Sequence, residues 1–303
     1  MRCLTICTLL LASSGLFAQE ASSVTRKEDV IYGRKFGTCL TMDVFQPKEK
    51  ANGAGVIFAV SGGWFSSKES INMGFIKPFT ERGYVVFAVM HGSQPRFSIP
   101  EVLEDMHRAT RYIRHHAKDY GVDPERLGIT GGSAGGHLSL MQGCGGKDGN
   151  PKASDLVDRE SSRVQAVACL FPPTDFLNYG KPGVEALGGG ILKGFKAPFE
   201  FIEKDPKSNA FVVISDQERR REIGKQISPV NLASEKSPPT LIHHGDADKL
   251  VPIQQSELMI EKLKAAKVPC RLVAKEKGDH GWAGMDKDLE AFADWFDKYL
   301  AKK

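Results

Sequence analysis

The chain has 303 residues, of which 41% are hydrophobic and 26% are charged, so it is long enough to build one large α/β domain with insertions. Its 41 basic and 37 acidic residues give a formal net charge of +4, and they are spread along the whole sequence. Without a dominant basic block or an interleaved aromatic stripe, the composition argues against a nucleic-acid-binding protein.

The N-terminus has the pattern of a secretory signal peptide. Arg2 supplies a short positive region, residues 4–11 form an apolar core, and small residues end near Ala18. This stretch is too short to span a bilayer as a mature helix. We therefore expect cleavage of residues 1–18 and export of the mature chain, 19–303, to the periplasm or the extracellular space, without a stable membrane span.

Apolar runs separated by turn residues predict an alternation of strands and helices. Continuous runs such as GVIFAV are typical of strands that helices cover on both faces. The alternation implies a mostly parallel sheet with helices on both faces. The predicted elements, in chain order, are strands at 30–33, 39–45 and 55–60, a helix at 75–82, a strand at 84–90, a helix at 100–120, a strand at 127–130, a helix at 137–143, strands at 164–171 and 239–243, a helix at 252–267, a strand at 270–274 and a helix at 289–300.

The stretch from about 176 to 227 interrupts this alternation. Its sequence GGGILKGFKAPFEF and the charged run at 218–222 fit neither a clean strand nor one long helix. In a compact domain such an insertion is usually a functional lid or cap. We therefore expect a single domain over 19–303 with a cap-like insertion.

Four cysteines remain after the predicted cleavage site. An exported protein could join them in three pairings, but Cys169 lies inside the apolar sequence AVACLF, where a buried free thiol is the commoner outcome. A chain of this size does not need a disulfide to fold, so the sequence leaves disulfide formation open. The four are Cys39, Cys144, Cys169 and Cys270.

The sequence GGSAGG at 131–136 lies between a predicted strand and a predicted helix. It places Ser133 at the apex of the turn, in the frame G-x-S-x-G of a nucleophile elbow. In such an elbow the serine backbone is strained, and a Cβ on either flanking glycine would collide with a neighbouring element. A glycine-rich turn that only packs tightly or holds a phosphate is the alternative interpretation of this motif alone.

Partners for a nucleophilic serine follow two later strands. A serine hydroxyl needs a base, an acid that orients the base, and donors for the oxyanion. His280 lies in the turn GDHGW after the last predicted strand, and HHGDADKLVP places Asp246 and Asp248 after the strand before it. The order Ser133, aspartate, His280 is that of the α/β-hydrolase triad.

The motifs GGSAGGH, HGDADKLVP and GDHGW, with SGGW after the third strand, resemble the esterase branch of the α/β-hydrolases. This branch includes bacterial feruloyl and acetylxylan esterases (BD-FAE-like) and relatives of hormone-sensitive lipase. The resemblance extends from about Val56 to the C-terminus. It implies an α/β-hydrolase fold with a mostly parallel eight-stranded sheet, a catalytic serine and no cofactor, and its HGxxDxxVP pattern selects Asp248 over Asp246 as the acid.

The resemblance also implies an oxyanion hole after the third strand. If Trp64 corresponds to the tryptophan of the family's HGGGW motif, Val60 stands where the family has its histidine, and Ser61 stands where it has the first glycine. This is a departure from the family pattern, although backbone donors do not require that histidine. The implied donors are the backbone N–H groups of Gly62, Gly63 and Ala134.

Two side chains are candidates for substrate contact. Trp64 could stack on an aromatic or sugar ring, although a tryptophan at a strand end is as often part of the core. His91 follows a strand that ends near the expected mouth of the site. His137 is interpreted as a packed, hydrogen-bonded residue. No residues have a metal-ligand spacing, so we expect no metal.

Together these patterns predict an exported serine carboxylic ester hydrolase that forms an acyl-enzyme, and the resemblance implies small or carbohydrate-linked esters, acetyl or feruloyl, as its substrates. The expected partner is a small-molecule or polysaccharide ester. A serine exopeptidase of the same fold is one alternative, although the sequence has no propeller-like β segment and no evident acidic pair for a peptide N-terminus. A catalytically silent hydrolase fold that serves as a binding protein is another, because the oxyanion turn departs from the family.

Overall fold

The computed structural model describes residues 23–302, so the predicted signal peptide lies outside the described residues. Within that range no helix combines the length and the apolar character needed to cross a membrane. The strands are β1 (Val24–Lys35), β2 (Thr38–Pro47), β3 (Gly55–Val60), β4 (Val85–Met90), β5 (Leu127–Gly132), β6 (Ala166–Leu170), β7 (Ile202–Lys204), β8 (Phe211–Val213), β9 (Thr240–Gly245) and β10 (Cys270–Lys275). The α-helices are α1 (Lys77–Thr80), α2 (Ile99–His115), α3 (Ala134–Gly145), α4 (Gln217–Gln226), α5 (Gln254–Ala265) and α6 (Met285–Tyr299).

Eight of these strands form one sheet, in the order β1-β2-β4-β3-β5-β6-β9-β10. The strand β2 pairs antiparallel with both β1 and β4, and the other neighbours pair parallel. The predicted fold class, a mostly parallel eight-stranded sheet with helices on both faces, is therefore confirmed.

The sheet separates two hydrophobic clusters. Every residue of β3 is buried, and because side chains alternate along a strand, Ile57 packs into one cluster and Phe58 into the other. The first cluster includes apolar residues of α2, α3 and α5, and the second includes those of α6. The parallel strands all end at the same edge of the sheet, where the loops after them meet, as is general for α/β folds.

The stretch at 176–227 contains 3-10 turns at Gly190–Phe195 and Ala197–Phe199, the hairpin β7-β8 and the helix α4. It joins the first hydrophobic cluster rather than forming a core of its own. The rings of Phe176 and Phe199 lie 5.8 and 5.2 Å from the ring of Trp64, which follows β3. The insertion is thus docked beside the strand ends, and its role as a lid stays a prediction.

The four cysteines of the described chain are free thiols. Cys169 lies fully buried within β6, and burial raises the pKa of its thiol well above the ordinary range. Cys39 is exposed, whereas Cys144 and Cys270 are half-buried. The fold in this range is therefore held by packing and hydrogen bonds.

Candidate active site

Ser133 lies between β5 and α3 with backbone angles φ 54° and ψ −119°, a region that costs a non-glycine residue about 1–3 kcal/mol. The surrounding glycines make this possible. A Cβ on Gly131 would lie 2.6 Å from the carbonyl group of Gly135, and a Cβ on Gly135 would lie 2.6 Å from the carbonyl oxygen of Ala59. The turn therefore has the close packing and the strained serine of a nucleophile elbow.

Three loops bring the predicted triad together. The Oγ atom of Ser133 lies 2.9 Å from Nε2 of His280, and Nδ1 of His280 lies 2.7 Å from Oδ2 of Asp248. A carboxylate can only accept, so Nδ1–H of His280 donates to Asp248 and Nε2 is left to accept the Ser133 proton. The arrangement provides a hydroxyl, a base within hydrogen-bond distance and an acid that fixes the tautomer of the base.

Asp248 is held as a carboxylate by its neighbours. Burial of its side chain opposes ionisation, but hydrogen bonds from His244, His280 and the N–H of Val251 outweigh this effect and hold the pKa of Asp248 well below its usual range. The backbone N–H groups of Leu250 and Val251 donate to Oδ1 at 2.9 and 2.8 Å. Asp248 therefore keeps its negative charge beside His280 at neutral and moderately acidic pH.

Asp246, the other candidate acid, points elsewhere. Its side chain is exposed, and its Oδ1 accepts the backbone N–H of Lys277 at 2.7 Å. This bond pairs the loop after β9 with the loop after β10. Asp246 thus supports the turn, while Asp248 reaches the histidine.

A buried carboxylate stabilises the loop that carries His280. Asp288, in α6, accepts the indole N–H of Trp282 at 2.6 Å and bonds Nδ1 of His243 at 2.8 Å. It also forms an ion pair with Lys275. Asp288 was not predicted as part of the site, because two of its partners, His243 and Lys275, are distant in sequence; the one signal in the sequence was the tryptophan two residues after His280.

The loop after β3 forms a tight two-residue turn. Gly62 and Phe65 exchange backbone hydrogen bonds at 3.0 and 2.9 Å, and Gly63 and Trp64 between them have φ of 55° and 58°, as in type I′ turns. The N–H of Gly62 is therefore already paired. In the described part of the chain the N–H groups of Gly63 and Ala134 have no partner, so we revise the predicted oxyanion donors to these two.

Trp64 is not at the mouth of the site. The indole is turned inward and is only 2% exposed, and its Nε1–H donates to Nδ1 of His137 at 3.1 Å. The ring packs against Phe176 and Phe199. The predicted substrate contact of Trp64 is therefore corrected: burial removes the ring from any ligand, and the core interpretation applies.

The loop after β4 supports the loop after β3. His91, predicted to contact substrate, is buried, and its Nε2 lies 2.8 Å from Oγ of Ser61. Gln94 donates from Nε2 to the carbonyl oxygen of Gly63 at 2.8 Å. We therefore correct the prediction for His91: it lies behind the residue that faces the cavity and does not reach a ligand directly.

A cavity of about 480 Å³ opens beside the Ser133 hydroxyl. Aromatic rings form much of its wall: Phe58 and Phe75 stack with centroids 4.8 Å apart, and Phe171 lies 4.4 Å from the ring of His280. The insertion contributes Phe195. The wall also carries the polar side chains of Ser61, Ser70 and Asn72, so the cavity suits a ligand with an apolar part and a small number of hydrogen bonds. The residues lining the cavity are Phe58, Ser61, Gly62, Gly63, Phe65, Ser70, Asn72, Phe75, Gly132, Ser133, Phe171, Phe195, Leu250, His280 and Met285.

The amino-acid sequence is similar to those of several hydrolases. It is 28% identical over 240 residues to the probable carboxylic ester hydrolase LipM of Mycobacterium tuberculosis, covering 78% of this chain and 51% of LipM. It is 26% identical over 235 residues to endo-1,4-beta-xylanase B of Butyrivibrio fibrisolvens, covering 70% of this chain and 31% of that protein. The chain thus spans about half the length of LipM and of the mycobacterial esterases LipQ and LipC.

Solved structures share the fold. A truncated form of a carbohydrate esterase from gut microbiota has a TM-score of 0.72 and 25% identity, with 92% of this chain and 97% of that chain covered. Esterase 2 of Thermogutta terrifontis, in a form phosphorylated by paraoxon, has a TM-score of 0.68 and 22% identity, with 93% and 97% covered. These likenesses show that the fold described above is shared with esterase structures.

The family comparison covers most of the described chain. Residues 42–263 match the BD-FAE family, a range that begins in β2 and ends within α5. It includes the elbow with Ser133, the loop after β3 and the aspartate Asp248, while His280 lies beyond it, in the loop after β10. The chain therefore belongs to the BD-FAE family, with the fold of the α/β-hydrolase esterases.

Proposed function

We propose that this chain is a serine carboxylic ester hydrolase with Ser133, His280 and Asp248 as its catalytic triad. The observation that carries the proposal is the continuous hydrogen-bonded series from Asp248 through His280 to the Ser133 hydroxyl, which opens on the cavity. Family membership and the names of the relatives, which are esterases and ester hydrolases, support it.

The geometry supports a two-step mechanism. Ser133 Oγ attacks the ester carbonyl carbon while Nε2 of His280 takes its proton, and the same proton then passes to the leaving alcohol. The N–H groups of Gly63 and Ala134 donate to the developing oxyanion, and the N-terminus of α3 adds a favourable dipole. Water then attacks the acyl-enzyme while His280 takes its proton, and His280 returns this proton to Ser133 Oγ as the acid is released. Asp248 stays ionised throughout and stabilises the imidazolium.

The substrates we propose are small or carbohydrate-linked esters. The open cavity and its aromatic wall suit a short acyl group or a ring. Support also comes from similar proteins whose names mention carbohydrate: a carbohydrate esterase, a xylanase, and an acetyl ester-xyloside bifunctional hydrolase from Caldicellulosiruptor lactoaceticus. We further propose, from the pattern of residues 1–18 alone, that the enzyme acts after export.

Hydrolysis of p-nitrophenyl esters, acetate through octanoate, by the wild type and a Ser133→Ala variant tests the proposal. We expect turnover of the short esters that falls by several orders of magnitude in the variant, because the triad acts as a unit. Acetylated xylan, methyl ferulate and a peptide panel then locate the substrate class. Near-normal turnover in the folded variant would disprove the assignment, and cleavage of peptides alone would favour an exopeptidase.

A further inference from the structure

A second serine–histidine pair lies on the cavity wall, outside the triad. Ser61 follows β3, lines the cavity and is partly exposed. Its Oγ lies 2.8 Å from Nε2 of His91, a buried residue that follows β4. The proposed mechanism uses neither side chain. The pair therefore needs a separate explanation, and it stands at the position where this chain departs from the HGGGW pattern.

The neighbours of His91 determine the direction of this hydrogen bond. Nδ1 of His91 lies 2.7 Å from the carbonyl oxygen of Gly92, and a carbonyl oxygen only accepts, so Nδ1 carries the proton. In the neutral ring Nε2 is then an acceptor, and the Ser61 hydroxyl must donate to it. Burial lowers the pKa of His91 to about 4, which keeps the ring neutral at the pH at which esters are assayed.

Gly92, the residue that carries this carbonyl, is closely held by its neighbours. The backbone N–H of Gly92 donates to Oδ2 of Asp105 at 2.8 Å, and Asp105 forms an ion pair with Lys35 at 2.6 Å. A Cβ on Gly92 would lie within 3 Å of the side chains of Phe97, Lys35 and Asp105. Gly92 is therefore held at its N–H and packed closely around its Cα, which restricts rotation of its carbonyl group, in the peptide that precedes Ser93, away from the ring.

On the cavity wall, the Ser61 hydroxyl therefore has no hydrogen left to donate to a ligand. A serine oxygen has one hydrogen and two lone pairs, and in Ser61 the hydrogen points to His91. Toward the cavity Ser61 can therefore only accept. Ser70, on the same wall, differs because it shares a hydrogen bond with Ser67 in which either hydroxyl can donate.

We propose that Ser61 is a specificity-determining hydrogen-bond acceptor that favours esters with a free hydroxyl group close to the ester bond, such as partly acylated polyols and sugars. This inference rests on the proposed esterase function and adds a selective contact to it. His91 is the positioning residue of the pair, because it acts only through the Ser61 hydroxyl. An ester with a methyl group in place of that hydroxyl leaves the Ser61 lone pair without a partner.

The kinetic test compares 2-hydroxyethyl acetate with propyl acetate, which have nearly the same shape and differ in a terminal hydroxyl or methyl group. The measured quantity is the ratio of their kcat/KM values in the wild type, Ser61→Ala and Ser70→Ala. We expect the preference for the hydroxyl ester to fall about three- to tenfold in Ser61→Ala, the size of one neutral hydrogen bond, and to change less than twofold in Ser70→Ala.

The outcomes separate this inference from the esterase function. If both esters are hydrolysed and Ser61→Ala, shown to be folded by circular dichroism, keeps the wild-type ratio, the acceptor role is wrong and the esterase function stands. If the folded wild type hydrolyses neither ester and no p-nitrophenyl ester, the esterase function fails and this inference fails with it.

A spectroscopic measurement on the wild type tests the hydrogen-bond direction independently of activity. A long-range proton–nitrogen NMR spectrum distinguishes the two neutral tautomers of each histidine, and the His91→Gln variant identifies the signals of His91. We expect the Nδ1–H tautomer at pH 7. An Nε2–H tautomer would contradict the inference, because Ser61 would then accept from His91 and could donate to the cavity.

Discussion

His137 links three parts of the site through one buried ring. It lies in the first turn of α3, one turn after Ser133, and its Nδ1 accepts the indole N–H of Trp64 at 3.1 Å. Its other nitrogen, Nε2, donates to the carbonyl oxygen of Ile227 at 2.7 Å. The His137 ring thus connects the elbow, the turn Gly62–Phe65 and the end of the insertion. Its hydrogen bond to Trp64 offsets the strain of a tryptophan with positive φ.

This arrangement predicts a pH-dependent stability. Burial lowers the pKa of His137 from 6.5 to about 4, so the unfolded chain binds a proton that the folded chain excludes. The stability contributed by the neutral ring is present above pH 6.5 and is lost as the pH falls toward 4. Between pH 7 and pH 5 this one residue should reduce the free energy of unfolding by about 2 kcal/mol.

Urea unfolding of the wild type and a His137→Gln variant at pH 7 and pH 5 measures this effect. The variant should be less stable than the wild type at pH 7 but should lose about 2 kcal/mol less on acidification. Equal losses in both proteins would show that His137 is not excluded from protonation by the fold.

Single residues of the site were predictable where local pattern and chain order agreed. Ser133 was marked by its glycines, and His280 and Asp248 by their positions after successive strands. The pairs Ser61–His91 and Trp282–Asp288 were not predictable in the same way, because 30 residues separate the first pair and the second depends on how α6 packs. Trp64 and His91 lie on the loops after β3 and β4, but their side chains are buried, because sequence position does not give side-chain direction.

At the scale of elements, β3 and the turn after it show which features the pattern of apolar residues predicts and which it does not. The run GVIFAV predicts the bounds of β3, Gly55–Val60, because a strand buried on both faces has no polar interruption. The predicted helix at 100–120 is instead α2 (Ile99–His115) followed by a 3-10 turn at Ala117–Tyr120, a change of winding that the apolar spacing does not encode. For the turn Gly62–Phe65, the sequence predicted backbone N–H donors at Gly62 and Gly63, but it did not predict the hydrogen bonds between Gly62 and Phe65.

Gly62 and Gly63, neighbours in the turn after β3, allow two matched substitutions to be compared. A Cβ on Gly63 would lie 2.5 Å from the ring of Phe195, and the φ of 55° disfavours any other residue, whereas a Cβ on Gly62 has no atom within 4 Å. If Gly63 is an oxyanion donor, as we propose, Gly63→Ala should displace its N–H and lower kcat for p-nitrophenyl acetate by about 100-fold, the cost of losing one such donor. Gly62→Ala should lower it far less. Similar losses in the two variants would contradict the revised donor set.

At the scale of the whole molecule, the sheet order explains why distant residues meet. The loops after β3, β5, β9 and β10 carry Ser61, Ser133, Asp248 and His280, and all lie at one edge of the sheet. The family match and the shared fold place the chain among the BD-FAE proteins. The insertion at 176–227 could be located by its irregular sequence, but its packing on Trp64 depends on tertiary contacts that a single sequence does not reveal.

The central claim is that Ser133 is an activated nucleophile, and phosphorylation by paraoxon tests it most directly. The organophosphate forms a stable ester with a serine that a neighbouring base activates, so intact-protein and peptide mass spectrometry can locate the adduct. We expect one diethylphosphoryl group on Ser133 in the wild type, none in Ser133→Ala and much slower labelling in His280→Ala. A folded wild type that remains unlabelled, or an adduct that persists in Ser133→Ala, would contradict the claim.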